Sequence, residues 1–293
     1  MNAAPVGAVV LNSVSKALKE CLDEPIDFFK NDGAKSEFDY IRTLEQTYWR
    51  TLQDVIDLHV GCCFSPGPIA GKVLEIGSYL GVTSIAMREA GFEVVAQNIP
   101  EYIEHPRIQE RYARHGIAWK AVNLRSYRLP YESGSFDGVV MCEVFEHLNF
   151  NPVTILVEVN RVLKTGGWLY LATPNAGNIV KRLRIIRGLT AMDPVDNFFG
   201  ALTASDGGIV GMYWREYMPY ELQKLLRRTG FSQLRHYYCH YADRHHRSLL
   251  HRKLVKLMYY FVPAFFPAQV VMSPKEKPAA VNIRFTDATK PLE

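Results

Sequence analysis

Between Cys142 and Leu148 the chain reads CEVFEHL, a stretch that places two carboxylates and an imidazole within a few residues of one another. An imidazole has an unperturbed pKa near neutrality, and flanking carboxylates could orient it to take a proton from an attacking hydroxyl. His147 is therefore the candidate base. Glu143, nearer the preceding apolar run, faces the same reaction centre, while Glu146 could orient the imidazole or face solvent. Structural hydrogen bonding at a helix start is the other reading of His147. A second stretch, VLEIGSYLG at residues 73–81, offers binding rather than proton transfer. An apolar run ends in Glu75, turns at Gly77 through Ser78, Tyr79 and Leu80, and opens a helix at Gly81. Such a turn brings bare N–H groups and a helix N-terminus against a ligand, and glycine is needed where a side chain would block the approach.

These residues need a scaffold, and the apolar pattern supplies one. Strands are predicted near 72–77, 92–97, 117–122, 136–142 and 167–173, alternating with helical or turn-rich segments, as in a parallel sheet covered on both faces. The helix after the first strand runs from about Gly81 to Gly91. A well-marked helix begins with Asn151 as cap and Pro152 in its first turn, carries Val153, Leu156, Val159 and Leu163 on one face, and ends at Gly166–Gly167. FSQLRHYYC and AQVVM are the sixth and seventh strands. The fold class is α/β, a Rossmann-like doubly wound seven-stranded sheet, with the ligand across the carboxyl ends of the strands. Residues 1–60 form a helical extension in which Tyr40, Tyr48 and Trp49 could serve as a lid. Residues 61–275 form the main domain with an insertion at about 176–217, and 276–293 form a loosely held tail.

Composition limits the function classes. With 293 residues and 48% hydrophobic content the chain can bury a sizeable core, and a net charge of +4 is too small to argue for nucleic acid. The charge is uneven. Lys181, Arg182, Arg184 and Arg187 form one cluster; Arg244, Arg247, Arg252, Lys253 and Lys256 form another, on a basic helix near 247–262 that could touch a membrane from the inner face. Residues 257–272 fall short of a spanning helix and are interrupted by Pro263 and Pro267. The five cysteines contain no CxxC, and an odd count without a secretory signal favours reduced thiols in the cytoplasm. HYYCHYADRHH, from His236 to His246, holds metal-ligand types, yet alternation along a strand puts only every second residue on one face, so no metal is expected.

FDGVVMCEVFEHL, followed by NPVTILVEVNRVLKTGGWLYLATPN and preceded by VLEIGSYLG, resembles the class I S-adenosyl-L-methionine-dependent methyltransferases. The likeness spans roughly residues 70 to 275. DPVDNFF and GMYWREYMPYELQKLLRRTGF look like the bacterial branch associated with glycan and polysaccharide biosynthesis. The resemblance implies S-adenosyl-L-methionine as cofactor and a last strand inserted antiparallel. It carries the first cofactor motif onto Glu75, Gly77 and Gly81, with Ser78 and Tyr79 lining the turn, although many relatives have glycine where this chain has Tyr79. Gln97, with Asn98 beside it, stands where relatives hold the ribose with a carboxylate. Asn123 stands where an aspartate often meets the adenine amino group, and Cys142 completes the set. An amide accepts one hydrogen bond and donates another but brings no charge; for Gln97 and Asn123 the alternative is a loop residue capping backbone groups.

Acceptor recognition is expected from segments outside the shared core: Asn175 at the crevice rim, Tyr213 and Arg215 before the next helix, and Arg182 in the basic run. Arg215 could hold a phosphate or carboxylate bidentately, or pair with Asp196 or Glu216. Three function classes follow: O-methylation of a sugar hydroxyl on a glycan, nucleotide-sugar or lipid-linked precursor; methylation of an aromatic or polyketide-like small molecule; and a binding protein of the same fold without catalysis. An apolar pocket without phosphate-binding arginines would favour the second over the first.

Overall fold

Apolar runs interrupted by glycine or proline form the strands β1 (Lys72–Ile76), β2 (Glu93–Asn98), β3 (Ala118–Ala121), β4 (Phe136–Cys142), β5 (Leu163–Pro174), β6 (Arg235–Cys239) and β7 (Ala268–Pro274). The computed structural model describes residues 6–26, 28, 41–63, 69–192, 195, 212–240 and 257–281. The strands make one sheet in the order β3-β2-β1-β4-β5-β7-β6. β1 to β5 run parallel, and β7 lies antiparallel between β5 and β6. This is the expected Rossmann-like α/β architecture. The central strand β1 is buried along Val73–Ile76 because helices cover both its faces.

Helices α1 (Val6–Asp23), α2 (Glu45–Cys63), α3 (Val82–Glu89), α4 (Pro100–Ile103) and α5 (Pro106–His115) precede β3, and α6 (Val153–Val162), α7 (Ile179–Ile186) and α8 (Pro219–Arg228) follow β4. Val10, Val14, Ala17 and Cys21 repeat at helical spacing along α1 and enter the same core as Leu52 and Val55 of α2 and Ile85 of α3, against one face of the sheet. Ile155, Leu156 and Val159 of α6 and Leu222 and Leu226 of α8 fill the other face. Each such side chain, fully buried, contributes roughly 1.5–3 kcal/mol.

The segment grouped as an extension is built into the domain by polar ties as well. Arg111 is fully buried, and its guanidinium donates to Leu80 O at 2.9 Å and to Glu24 O at 2.7 Å. One side chain thus joins the end of α1 to the turn after β1. At the surface Arg114 pairs with Glu20 at 2.7 Å.

Two boundaries differ from expectation. α6 stops at Val162, so Leu163 and the Gly166–Gly167 pair belong to β5 instead of ending the helix. The pairing of β4 with β5 is irregular between Phe136 and Gly138, and a Cβ on Gly167 would lie 2.9 Å from Asp137 O. The glycine therefore serves a close backbone approach in the sheet. The tail also starts later than expected. Lys275 N donates to Gly167 O at 2.7 Å, and the Asn160 amide donates to Lys277 O at 3.0 Å while accepting from Ala279 N at 3.1 Å. A buried side-chain amide fixes the chain there, and residues 282–293 lie outside the described residues.

Candidate active site

A cavity of about 440 Å³ opens across the carboxyl ends of β1, β2, β4 and β5, within the range of roughly 300–1,000 Å³ typical of small-ligand sites. Glu75, Gly77, Ser78 and Tyr79 form its wall at β1. Gly77 and Gly81 have φ of +83° and +87°, and a Cβ on Gly81 would approach the Tyr112 ring to 2.7 Å, while one on Gly77 would strike Val144. Both glycines answer to backbone shape and to packing, so larger residues there would disturb the fold as well as the ligand's approach. The Gly77 and Ser78 N–H groups are not bare. They donate to Gln97 O at 2.8 and 3.1 Å, which pins the turn to β2.

Tyr79 has φ of 43°, the left-handed conformation that glycine would adopt more readily. Its ring packs against Phe28 and Tyr102, each with centroids 5.6 Å away, so contacts around the cavity's edge hold a side chain where many relatives have none. Glu75 is buried beneath the turn, receives hydrogen bonds from Ser84 and Thr83, and is pushed up to about 7 by burial. A positive charge entering the cavity would favour its ionised form.

Gln97 lines the cavity, is 1% exposed, and has neither an acceptor for its Nε2 nor a donor for its Oε1. A buried amide without partners costs free energy until something satisfies it, which marks this point of the wall as prepared for a polar ligand. Asn98, the last residue of β2, is more open to the cavity, and its Oδ1 accepts from Ile99 N at 2.8 Å. Asn123 is exposed at the cavity mouth, where its Oδ1 caps a short turn by accepting from Arg125 N at 3.0 Å. Asn123 therefore does the capping that was its alternative reading and Gln97 does not, while each asparagine keeps a second lone pair on the amide oxygen. Cys142 lines the cavity at the end of β4, and loss of solvation lifts its thiol well above the ordinary range, so it stays neutral.

His147 and Glu143 also line the cavity. Glu143 adopts φ of 55° directly after β4, and its N–H donates to Ala172 O at 3.0 Å, a strained position held by the neighbouring strand. His147 closes the 3-10 turn Phe145–His147, and its Nδ1 lies 2.8 Å from Met212 O. A carbonyl only accepts, so Nδ1 carries the proton and Nε2 is the basic nitrogen of the neutral ring. Glu146 lies on the other side of the turn, fully buried. It accepts from Thr173 Oγ1 at 2.9 Å and is pushed up to about 7 by burial, with Glu216 adding repulsion. It does not face solvent. Its main-chain carbonyl receives Trp214 N and Arg215 N, which ties the turn bearing His147 to the far end of the insertion.

The residues expected to bind the acceptor are not brought together. Asn175, Arg182, Tyr213 and Arg215 all lie outside the cavity lining. Asn175 is fully buried, donating to Ala264 O and Phe266 O and accepting from Gly177 N, so it splices β5 to the segment before β7. Arg182 donates to Gly177 O at 2.6 Å and covers the Phe265 ring. Arg215 pairs with Glu221 at 2.7 Å, where Glu221 also receives Met218 N at the start of α8; neither Glu216 nor Asp196 is its partner among the described residues, Asp196 lying outside them. Tyr213 packs its ring on His147, centroids 4.9 Å apart, and thereby orients the imidazole. Glu216 pairs with Lys181.

Sequence reasoning missed much of the acceptor side. Ile41 and Leu44 just before α2, Thr51 within it, Tyr102 in α4, and Leu148 and Phe150 beyond the 3-10 turn all line the cavity, as does Arg125. Position just past a strand's carboxyl end was the available signal for Leu148 and Phe150; nothing local marks Ile41 or Thr51. Tyr48, considered as a lid residue, does line the cavity. Among the described residues no group of three histidine, cysteine or acidic side chains could hold a metal ion. His236 instead meets Gln269, and His240 stacks on Tyr259.

Residues 74–171 match the family model described as a methyltransferase domain. The ubiquinone biosynthesis O-methyltransferase of Thiobacillus denitrificans is 26% identical over 43% of this chain and 55% of its own length. Its counterpart from Xanthomonas oryzae pv. oryzae is 30% identical over 36% of this chain and 43% of its own. The chain thus spans about half the length of the curated relatives it matches. A Haemonchus contortus phosphoethanolamine N-methyltransferase 2, solved in complex with S-adenosyl-L-methionine, shares the fold with a TM-score of 0.51, 14% identity and coverage of 86% of this chain and 60% of that one. Turn, cavity and sheet order agree with that match: residues 74–171 are a methyltransferase domain match set in a Rossmann-like α/β sheet, with the cavity at the carboxyl ends of its strands.

Proposed function

We propose that the chain transfers a methyl group from S-adenosyl-L-methionine to a hydroxyl of a small, largely apolar acceptor, with an aromatic ring as the favoured carrier of that hydroxyl. The observation that carries the reading is the cavity lining. Ile41, Leu44, Tyr48, Leu148 and Phe150 supply apolar wall, and among the described residues Arg125 is the one arginine in the lining. A nucleotide-sugar or lipid-linked precursor would call for phosphate-binding cations, and Arg182 and Arg215 are committed elsewhere. The similarity to ubiquinone biosynthesis O-methyltransferases also supports O-methylation of a small acceptor over a sugar hydroxyl.

The buried polar groups suit the cofactor. Glu75 at the turn would face its positive charge, Gln97 offers an amide donor and acceptor to its polar edges, and Asn98 and Asn123 each retain acceptor capacity nearby. The bound cofactor supplies a methyl group on a sulfonium, a good leaving group that needs no metal. The protein's share is alignment and proton removal. Holding reactants in line lowers a barrier by about 7–11 kcal/mol, and a general base adds about 10²–10⁴-fold. His147 has the required form: Nδ1–H held by Met212 O, ring packed by Tyr213, and Nε2 basic. Its neighbour Glu143 lines the same cavity and can accept a hydrogen bond from the acceptor.

An acceptor panel tests this reading. Phenols and catechols bearing apolar substituents should yield methylated product and S-adenosylhomocysteine, whereas nucleotide-sugars should not. Turnover with nucleotide-sugars and none with phenols would reverse the choice of acceptor.

A further inference from the structure

α7 buries none of its residues. Ile186 at its end is 79% exposed, Leu183 one turn earlier and Leu189 just beyond are open as well, and the nearby Tyr260 and Phe261 reach 80% and 71%. Scattered exposed apolar side chains are ordinary, but a cluster of this size is not. Arg182 joins the two segments: it extends from α7 over the Phe265 ring, 5.6 Å from the centroid, a few residues past Tyr260 and Phe261. The His240, Tyr259 and Phe266 rings brace the second segment from beneath, with Tyr259 and Phe266 stacked at 4.5 Å. The exposed rings therefore stand on a fixed base.

The charged residues within the two segments are all basic, and Glu216, which pairs with Lys181, comes from outside them. Arg184 and Arg187 stand among the exposed apolar residues of α7, and no acidic residue occurs from Gly177 to Met192 or from Leu257 to Gln269. A short helix with large apolar side chains interleaved with arginine suits the plane of an anionic membrane surface, where rings and aliphatic chains enter the acyl boundary and guanidinium groups meet phosphates. No described helix is long and apolar enough to cross a membrane, so the contact lies in the plane of the surface. The basic helix expected to make such contact, 247–262, lies mostly outside the described residues; α7 and the Tyr260–Phe261 segment carry the present case. We infer that α7 and the Tyr260–Phe261 segment form a docking surface for an anionic lipid bilayer.

Co-sedimentation of the full chain with phosphatidylcholine vesicles, and with phosphatidylcholine mixed with phosphatidylglycerol, tests the inference. The wild-type protein should pellet with the mixed vesicles, lose that association as salt is raised, and remain in solution with phosphatidylcholine alone. Arg184→Ala with Arg187→Ala should weaken binding about 30-fold. Ile186→Ser with Phe261→Ser should weaken it at least about tenfold. Melting curves check that both double variants are folded, and the salt titration of the wild-type chain decides the matter if either is not. Equal pelleting with both vesicle types, no pelleting with either, or a dimer in the absence of lipid that the serine variants abolish would overturn the inference, the last pointing to a second copy on this face.

Discussion

Replacing Glu75 by Gln probes the link between burial, charge and cofactor. The carboxyl is fully buried, held by hydroxyl donors, and pushed up to about 7 by burial. In the proposed complex a positive charge arrives in the cavity that Glu75 lines, and the ionised form becomes the bound form. Binding then expels a proton wherever the free protein holds one. Each pH unit below the free value should cost about 1.4 kcal/mol, a factor of ten in affinity. Between about pH 7 and about pH 5.5 the wild-type affinity for S-adenosyl-L-methionine should fall roughly 15-fold, and above about pH 8 it should be level. Glu75→Gln keeps the shape and loses the charge, so its affinity should be weaker by roughly tenfold or more at neutral pH, with a flatter profile. Isothermal titration in two buffers of different ionisation enthalpy measures both the affinity and the protons released. The cofactor's own titration is common to both proteins and cancels in the comparison. Parallel pH profiles for wild type and Glu75→Gln would refute the reasoning.

His147→Ala should lower turnover by about 10²-fold or more while leaving cofactor affinity little changed, as read from steady-state kinetics beside calorimetry. Arg111→Met should cost about 2–4 kcal/mol in urea unfolding, because the carbonyls of Leu80 and Glu24 lose their buried donor. Glu75 and Glu146 are both pushed up to about 7 by burial, so the folded protein holds more protons than the unfolded chain between about pH 4.5 and about pH 7. Stability without ligand should therefore fall as pH rises through that window, by roughly 1–3 kcal/mol per group, and scanning calorimetry should show a declining melting temperature. A melting temperature that rises across the window would contradict this sign.

The sheet was legible because its central strands β1, β4 and β5 carry long apolar runs, and the glycine turn that closes β1 in VLEIGSYLG located the ligand site. Other features depend on partners that local spacing does not encode. The Gly77 and Ser78 N–H groups looked available until the neighbouring strand placed the Gln97 carbonyl beneath them. Asn175 follows β5 as a rim residue would, yet the return of the chain before β7 wraps Ala264 and Phe266 around its amide. Arg215 meets Glu221 because a helix starts between them and brings residues six apart together. The Gly166–Gly167 pair reads as a helix stop, but in β5 Gly167 serves a close backbone approach and Gly166 takes a φ of +78°. Ile41 and Thr51 escaped notice because their role follows from how α2 and the residues just before it lie along the cavity, a tertiary fact.

Transfer of a labelled methyl group tests the central claim most directly. The protein is incubated with trideuteromethyl S-adenosyl-L-methionine and a phenolic acceptor carrying an apolar substituent, and the products are analysed by mass spectrometry with fragmentation. The account predicts an acceptor heavier by one trideuteromethyl group, with the label on the hydroxyl oxygen, formed together with an equal amount of S-adenosylhomocysteine and far more slowly by His147→Ala. Tight binding of the cofactor in calorimetry, with no labelled product from phenolic or sugar hydroxyls, would contradict it and leave a binding protein on a methyltransferase fold.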